Sequence, residues 1–169
     1  ARGTAYHRLM ECLDYTAVDS ENQIHKQITA LTDAKKMAYE EAQCIRIQDI
    51  MTFLHSEIGQ RMKKAFEENQ LYREQPFVLA QSMKNIEKDW NGEETVLVQG
   101  IIDAYFIEDE EIVLVDYKTD KVRKGEEQHL IDLYHTQLED YAQALERMLQ
   151  KKVKETYIYS FALGKMIPV

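Results

Sequence analysis

The chain has 169 residues, of which 44% are hydrophobic and 30% are charged, a composition typical of one globular domain and not of a disordered chain. Its net charge of −9 argues against a generally positive surface for nucleic acid, although it leaves room for a local basic patch. No apolar run approaches the roughly 20 residues that span a bilayer, and no signal-peptide pattern opens the chain.

The first residues, Ala-Arg-Gly, include no initiator methionine, which predicts a processed product or a fragment of a longer protein, and we favour the fragment. Cys12 and Cys44 are too few for a four-cysteine zinc or iron–sulfur site, so we expect two reduced thiols in a cytosolic protein. Two groups of basic residues are candidates for a local basic patch, although a solvated face is the better explanation of each: Lys121, Arg123 and Lys124, then Arg147, Lys151, Lys152 and Lys154.

Residues 1 to about 70 are predicted to be helical. Thr4 is the predicted N-cap of a first helix, in which apolar residues recur at helical spacing: Tyr6, Leu9, Met10 and Leu13. Residues 20–40 are predicted to form one or two further helices. The stretch 42–69 has a continuous apolar stripe with a predicted break near 56–59.

The character of the sequence changes at Glu74-Gln75-Pro76-Phe77. Three segments rich in β-branched and aromatic residues are predicted strands, 76–82, 95–107 and 111–118, with a turn at 108–111. A long amphipathic helix over 129–150 and a fourth strand over 154–164 follow. This order predicts an α/β domain with a mixed sheet covered by helices.

Asp116 and Lys118 stand two residues apart at the end of the third predicted strand. Side chains alternate across a strand, so residues two apart lie on one face, about 6.6 Å from each other. The same alternation in the second predicted strand places five residues on one face: Leu97, Gln99, Ile101, Asp103 and Tyr105. If the two strands pair through the turn at 108–111, Asp103 and Asp116 lie close together. An Asp-x-Lys pair alone is a weak signal, because a salt-bridged strand end also explains it.

Two carboxylates at about 4 Å repel by roughly 4 kcal/mol at an effective dielectric constant near 20, so either one takes a proton or a cation lies between them. Mg²⁺ or Mn²⁺ suits such a site, because these hard ions accept a few carboxylates and fill their other positions with water and phosphate. Lys118 beside the metal could hold or deprotonate an attacking water and stabilise negative charge on phosphate. The pattern therefore indicates chemistry on a metal-bound phosphate.

Four other residues are candidates for the same site. Glu74 could supply a third carboxylate or be a surface acid, and His7 could be a ligand or simply a residue of the first helix. Gln137 and Tyr141 are four apart and share one face of the long helix, where Gln137 needs a hydrogen-bond partner and packing explains Tyr141.

Five segments in order carry a family resemblance: "RGTAYHRLME", "REQPF", "VQGIIDAYF", "LVDYKTD" and "QLEDYAQALE". Together they resemble the RecB-like nucleases of the PD-(D/E)xK superfamily, and most closely the AddA-type branch of the AddAB helicase–nucleases, over about residues 2 to 167. The sequence departs from the family at two places. The "PD" position reads Ile102-Asp103, which keeps the acid, and Tyr6 stands where similar proteins often have Met.

The resemblance implies a restriction-endonuclease-like core and Mg²⁺-dependent hydrolysis of DNA phosphodiester bonds, with Mn²⁺ as a possible substitute and no iron–sulfur cluster. It implies Lys118 as the catalytic lysine, acting with Glu74, Asp103 and Asp116. It implies that Gln137 and Tyr141, as a QxxxY motif, support the site and the DNA strand. The implied metal ligands are His7, Glu74, Asp103, Asp116 and the carbonyl of Tyr117.

By the same resemblance, 1–169 is a single nuclease domain, with a helical segment over 1–70 and the nuclease core over 71–169, attached to ATP-hydrolysing helicase domains of a longer bacterial, cytoplasmic and nucleoid-associated protein. Its partners would be single-stranded DNA and a subunit of the AddB type, and its role double-strand break repair by homologous recombination. The chain has no GxxxxGK[ST] motif, so it cannot unwind DNA itself. Two alternatives are a non-catalytic DNA-binding or scaffold module and a free-standing RecB-like exonuclease.

Overall fold

The computed structural model describes residues 2–169. Five helices come first: α1 (Arg2–Cys12), α2 (Glu21–Asp33), α3 (Tyr39–Ala42), α4 (Ile47–His55) and α5 (Glu57–Glu67). The remaining elements, in chain order, are β1 (Leu71–Ser82), α6 (Met83–Ile86), β2 (Thr95–Glu108), β3 (Glu111–Lys118), α7 (Glu127–Leu149), β4 (Val153–Ser160) and β5 (Lys165–Pro168). None of the helices described for residues 2–169 combines the length and the apolar character of a membrane span.

The start of α1 differs from the prediction. Thr4 is not the N-cap, because α1 already includes Arg2 and Gly3. Ala5 and Tyr6 are fully buried, so packing of the first turn, and not a capping side chain, determines where this helix lies. The predicted break between α4 and α5 is confirmed: the hydroxyl of Ser56 accepts a hydrogen bond from the backbone N–H of Gly59 and caps α5.

The five strands form one sheet in the order β1-β2-β3-β4-β5. Only β3 and β4 are parallel, and α7 makes the crossover between them. The mixed sheet and the α/β class are confirmed. The sequence does not predict β5, because four residues are too short to show a period and Pro168 is a residue that only an edge strand tolerates.

Two apolar clusters lie on opposite faces of the sheet. Val113, Val115 and Tyr117 of β3 face α1, α4 and α5, whereas Ile112 and Leu114 face α7. β3 is thus buried on both sides, as its uninterrupted aliphatic run predicts. By this alternation the side chain of Asp116 lies on the face of the sheet that α7 covers.

The single face predicted for β2 is wrong. Leu97 and Ile101 are exposed at 70% and 54%, whereas Ile102 and Tyr105 belong to the same apolar cluster, although three residues apart. The alternation changes opposite Glu74, whose backbone φ of 50° lies in the left-handed region. Such a residue interrupts the regular alternation of the strand. The β2 side chains that face α7 are therefore out of phase on the two sides of this position.

Candidate active site

Asp103 and Asp116 lie where β2 and β3 separate. Backbone pairing between these strands ends at Ala104 and Val115, so the two aspartates occupy the next pair of positions. The backbone N–H of Tyr117 donates to Asp103 Oδ2 at 2.9 Å, so a side chain completes the hydrogen bonding of β3 there. The separation of the strands therefore opens a gap in the sheet that two carboxylates line.

Asp116 is buried, with only 3% of its surface exposed. Lys118 Nζ lies 2.8 Å from Asp116 Oδ2 as an ion pair but outside the angles of a hydrogen bond, so this buried oxygen has no hydrogen-bond donor among residues 2–169. Burial, and then the negative charge of Asp103, raise the pKa of Asp116 well above its ordinary value despite Lys118. The site therefore disfavours ionisation of Asp116 beside the charged Asp103 unless further positive charge is present.

His7 reaches this gap from α1. Its Nε2 lies 3.0 Å from Asp103 Oδ2 and its Nδ1 lies 2.8 Å from the carbonyl oxygen of Gly3, so both ring nitrogens contact acceptors. Burial opposes the charged ring, but the hydrogen bond to Asp103 and the charge of Asp103 raise the pKa of His7 to about 9. Burial by itself would raise the pKa of Asp103. The hydrogen bond and charge of His7, together with the Tyr117 N–H, outweigh burial and lower this pKa below its ordinary value. These contacts favour an imidazolium at His7, paired with Asp103.

Arg73 fixes α1 against β1. Its Nη1 donates to the carbonyl oxygens of Met10 and Leu13, at 3.1 and 2.7 Å, which satisfies acceptors at the end of the helix. Because Glu74 is the next residue, one short segment of β1 positions both the helix that carries His7 and the third candidate carboxylate. Sequence reasoning missed this role of Arg73, and no local spacing indicates it.

Glu74 lies beside the same gap. Arg73 pairs with Ala104 and Gln75 with Ile102, so Glu74 is the residue opposite Asp103. A cavity of about 320 Å³ adjoins it, lined by Thr4, His7, Arg8, Glu11 and Glu74. Burial, then the charges of Glu11 and Asp103, raise the pKa of Glu74. Sequence reasoning missed Glu11, although its position one turn after His7 places it on the same helix face.

The other side of the site is formed by α7. Lys118 Nζ donates to Gln137 Oε1 at 3.3 Å, so Gln137 has the partner that its place on an apolar stripe required. The same ammonium lies 3.9 Å from the centroid of the Tyr134 ring, and the Tyr134 hydroxyl donates to Asp120 Oδ2 at 2.7 Å. The sequence indicated Tyr134 only as a member of the apolar stripe.

Tyr141 is held near the aspartates by packing. Its ring lies 5.1 Å from the ring of Phe77, centroid to centroid, in an edge-on arrangement. A Cβ at Gly100 would come within 2.9 Å of the Phe77 ring, so the glycine leaves the space in which these rings meet. Burial, then the charges of Asp116 and Asp103, raise the pKa of Tyr141 to about 12.

The residues at the gap fit a hard divalent cation, although no three His, Cys, Asp or Glu side chains of residues 2–169 already converge as a metal-binding group. His7 is engaged by Asp103, and Lys118 by Asp116. The fit rests on the buried Asp116 oxygen, which has no hydrogen-bond donor among residues 2–169. It is supported by the raised pKa values of Asp116 and Glu74, which follow first from burial and then from neighbouring acids. Oxygen donors of this kind suit Mg²⁺ or Mn²⁺.

The mixed sheet, the paired aspartates and the lysine two residues further on define a class of nuclease. A family profile described as "PD-(D/E)XK nuclease superfamily" matches residues 1–165, and the chain belongs to this superfamily. The resemblance stated from five sequence segments is therefore confirmed.

The particular relatives are named as the A subunits of ATP-dependent helicase/nucleases, as the AddA-type resemblance predicts. The relative from Alkaliphilus metalliredigens (strain QYMF) is 42% identical over 162 residues, which are 95% of this chain and 13% of the relative. Those from Clostridium perfringens (strain 13 / Type A) and Lachnoclostridium phytofermentans are 36% and 33% identical, and each match covers 99% of this chain and 14% or 15% of the relative. The chain thus spans a small fraction of the length of these curated relatives.

Among solved structures, one titled "Crystal structure of SSO0001" matches 96% of this chain and 63% of its own at 14% identity with a TM-score of 0.40, which is too distant to support an inference.

Proposed function

We propose that this chain is a Mg²⁺-dependent DNA nuclease that hydrolyses phosphodiester bonds, with Mn²⁺ as an alternative ion. The observation that carries the proposal is the convergence of Asp103, Asp116 and Lys118 at the gap between β2 and β3, with one buried Asp116 oxygen lacking a donor. A cation would satisfy the buried Asp116 oxygen and relieve the repulsion between Asp103 and Asp116, and the adjacent ammonium would suit a phosphate.

The residues that would hold the cation are Glu74, Asp103, Asp116, the carbonyl of Tyr117, and His7 once its ring has lost a proton. When bound, the cation polarises the phosphate and lowers the pKa of a coordinated water. The N–H of Tyr117 keeps one Asp103 oxygen fixed, and Arg73 keeps α1 and therefore His7 in reach. The chain's own contribution is thus to bring these carboxylates to one place on packed strands and helices, and His7 and Lys118 give up their pairing with Asp103 and Asp116 when the cation binds.

Lys118 is the proposed catalytic lysine. Its side chain is only 15% exposed and its ammonium contacts Asp116 and Gln137, so it lies at the edge of the carboxylate group and not in bulk solvent. From there it can donate hydrogen bonds to the attacking water and to a non-bridging phosphate oxygen. These hydrogen bonds would stabilise the negative charge that develops on the phosphate during hydrolysis. Tyr141, which packs on Phe77, would support the DNA strand at the site.

We propose single-stranded DNA as the substrate, guided by the loop between β3 and α7. Lys121, Arg123 and Lys124 of this loop lie close in sequence to Lys118 and have no ion pair within residues 2–169. By contrast Lys151 and Lys154 form ion pairs with Glu110 and Glu108. Of the two basic groups in the sequence, the loop group is therefore the one in which every member lacks an ion pair among residues 2–169, and we propose it as the group that contacts phosphates.

The role of the whole protein is proposed from the names of its relatives. We propose that residues 1–169 are one nuclease domain, with the helical segment over 1–70 packed on the nuclease core over 71–169, in a longer bacterial polypeptide whose helicase domains hydrolyse ATP and supply single strands. A partner of the AddB type, a cytoplasmic, nucleoid-associated location and double-strand break repair by homologous recombination belong to the same proposal. A non-catalytic scaffold is less favoured, because every expected acid and Lys118 are present, and a free-standing exonuclease is less favoured because the relatives are far longer.

The test is cleavage of end-labelled single-stranded DNA by the full chain with Mg²⁺, Mn²⁺, Ca²⁺ or EDTA. We expect products with Mg²⁺ and Mn²⁺ and none with EDTA. Crystals soaked in Mn²⁺ should show anomalous density among Glu74, Asp103 and Asp116. Strand binding without cleavage in any metal would contradict the proposal and favour the scaffold alternative.

A further inference from the structure

The ammonium group of Lys118 has three partners in the structure. Two are polar: Asp116 Oδ2 at 2.8 Å and Gln137 Oε1 at 3.3 Å. The third is the face of the Tyr134 ring, whose centroid is 3.9 Å away. Gln137 was expected at the site from its motif, whereas Tyr134 lies outside that motif.

The aromatic face differs from the other partners in what it does to the lysine. A π-face attracts an ammonium through its negative quadrupole, but it has no net charge and takes no proton. In the proposed reaction Asp116 must share its oxygens with a cation, so its hold on Lys118 weakens. The ring and the amide of Gln137 then remain as contacts that keep the ammonium in place while leaving it charged.

The Tyr134 ring is itself fixed at both ends. Its hydroxyl donates to Asp120 Oδ2 at 2.7 Å, and Asp120 lies only two residues after Lys118. Its backbone lies on α7, one turn before Gln137, so both residues point to the same side of the helix. Tyr134 therefore joins α7 to the end of β3 around the lysine ammonium.

We infer that Tyr134 is a positioning residue for the catalytic lysine: its ring holds the Lys118 ammonium at the carboxylate gap, and Asp120 holds the ring. This inference rests on the proposed function. It assigns to Tyr134 an effect on turnover that acts through Lys118, without contact to the DNA.

A purely structural role makes a different prediction. Tyr134 packs partly against the apolar cluster under α7, and leucine would serve such packing nearly as well as tyrosine. The informative variants are therefore Tyr134→Leu, which removes the π-face, and Tyr134→Phe, which keeps it and removes only the hydrogen bond to Asp120. Tyr39→Leu is the matched control, because Tyr39 is 68% exposed on α3, which contributes no residue to the site.

The first measurement is independent of activity. In the full chain labelled with ¹³C at the lysine side chains, the ε-methylene signal of Lys118, assigned by its loss in Lys118→Arg, should be shifted upfield by the ring. The shift should persist in Tyr134→Phe and Tyr39→Leu and disappear in Tyr134→Leu. An Lys118 signal at the ordinary lysine position in the wild-type chain would overturn the inference.

The second measurement is the steady-state cleavage of single-stranded DNA with Mg²⁺, together with Tm. We expect Tyr134→Leu to reduce kcat by about 5- to 20-fold with KM nearly unchanged, because the lost attraction acts on the ammonium and not on strand binding. Tyr134→Phe should have a kcat close to that of the wild type, because it keeps the ring, and the kcat of Tyr39→Leu should equal that of the wild type. Equal kcat values for Tyr134→Leu and Tyr39→Leu at equal Tm would overturn the inference. Absence of cleavage by the wild-type chain would instead contradict the proposed function, while the lysine signal would still decide the placement of the ring.

Discussion

Asp103 and Asp116 occupy the first pair of positions beyond the last backbone pairing of β2 and β3, and the Asp103 carboxylate takes the hydrogen bond of the Tyr117 N–H. The two aspartates are adjacent because they continue the register of the paired strands, and the end of backbone pairing leaves room for their carboxylates between the strands. Rigid strands place side chains more accurately than loops do, so this arrangement suits a site whose oxygens must be preorganised.

The first prediction concerns the two residues with the most direct chemical role. Asp116→Asn removes a charged oxygen from the carboxylate group, and Lys118→Met removes the ammonium but keeps the apolar stem. Each should lower the rate of Mg²⁺-dependent cleavage of single-stranded DNA by about 10²- to 10³-fold or more. Gel assays of labelled strands measure this loss, and circular dichroism checks the fold.

Asp33→Asn is the control for Asp116→Asn, because Asp33 is an exposed acid at the end of α2. It should cleave at the wild-type rate. Wild-type rates in both Asp116→Asn and Lys118→Met would leave the proposed function without its mechanism.

The second prediction concerns stability without metal. Because the pKa of Asp116 is raised from 3.8 to about 7 in the folded chain, this carboxyl opposes folding increasingly as the pH rises from 3.8 to about 7 and most strongly above that. It has no effect where it is protonated in both states. Asp116→Asn should therefore stabilise the metal-free chain by about 1–3 kcal/mol near pH 8, a few degrees in Tm. The gain should shrink near pH 5.

Thermal unfolding in EDTA at the two pH values measures this difference, with Asp33→Asn as the reference. Addition of Mg²⁺ should raise the Tm of the wild type more than that of Asp116→Asn, because the cation relieves the repulsion that the variant lacks. A lower Tm for Asp116→Asn near pH 8 in EDTA would contradict the electrostatic account.

The third prediction concerns His7 and proton release. The metal-free pKa of His7 is about 9, raised from 6.5, so its pairing with Asp103 stabilises the fold below about pH 6.5 and this contribution is lost as the pH rises through about 9. A metal ligand must be a neutral ring, so Mn²⁺ binding near pH 7.5 should release a proton from His7. Calorimetry in two buffers of different ionisation enthalpy measures the released protons.

His7→Gln should release fewer protons than the wild type on binding Mn²⁺ and should show a weaker rise of affinity with pH. His25→Gln is the matched control, because His25 is an exposed residue of α2. Equal proton release by the wild type and His7→Gln would show that His7 keeps its proton, and therefore does not ligate the metal.

The fourth prediction concerns the contact between α1 and β1. Arg73→Met removes two hydrogen bonds to the carbonyls of Met10 and Leu13 and leaves these acceptors without that donor. We expect a loss of about 1–3 kcal/mol in the free energy of unfolding and a weaker affinity for Mn²⁺, because His7 is carried by the same helix. Urea denaturation measures the first effect and calorimetry the second.

Arg123→Met provides the comparison, because Arg123 lies in the loop after β3 and its side chain makes no hydrogen bond to residues 2–169. Its stability should match that of the wild type. If Arg73→Met were equally stable, the contact with α1 would have no energetic role.

The sequence by itself determined the features of the site that depend on local order. Alternation along one strand placed Asp116 and Lys118 on one face, and a short turn brought Asp103 beside Asp116, because contacts between neighbouring strands follow directly from chain order. Gln137 was also placed on the correct face of its helix by simple counting.

Tertiary structure alone decided the contacts between distant elements. His7 meets Asp103 across 96 positions of the chain, and Arg73 reaches Met10 across 63. The left-handed backbone at Glu74 and the Tyr134 ring under Lys118 likewise have no local signature. Local periodicity states which face of an element is apolar, but burial of those faces over the whole chain decides which elements meet and which polar groups share the gap they leave.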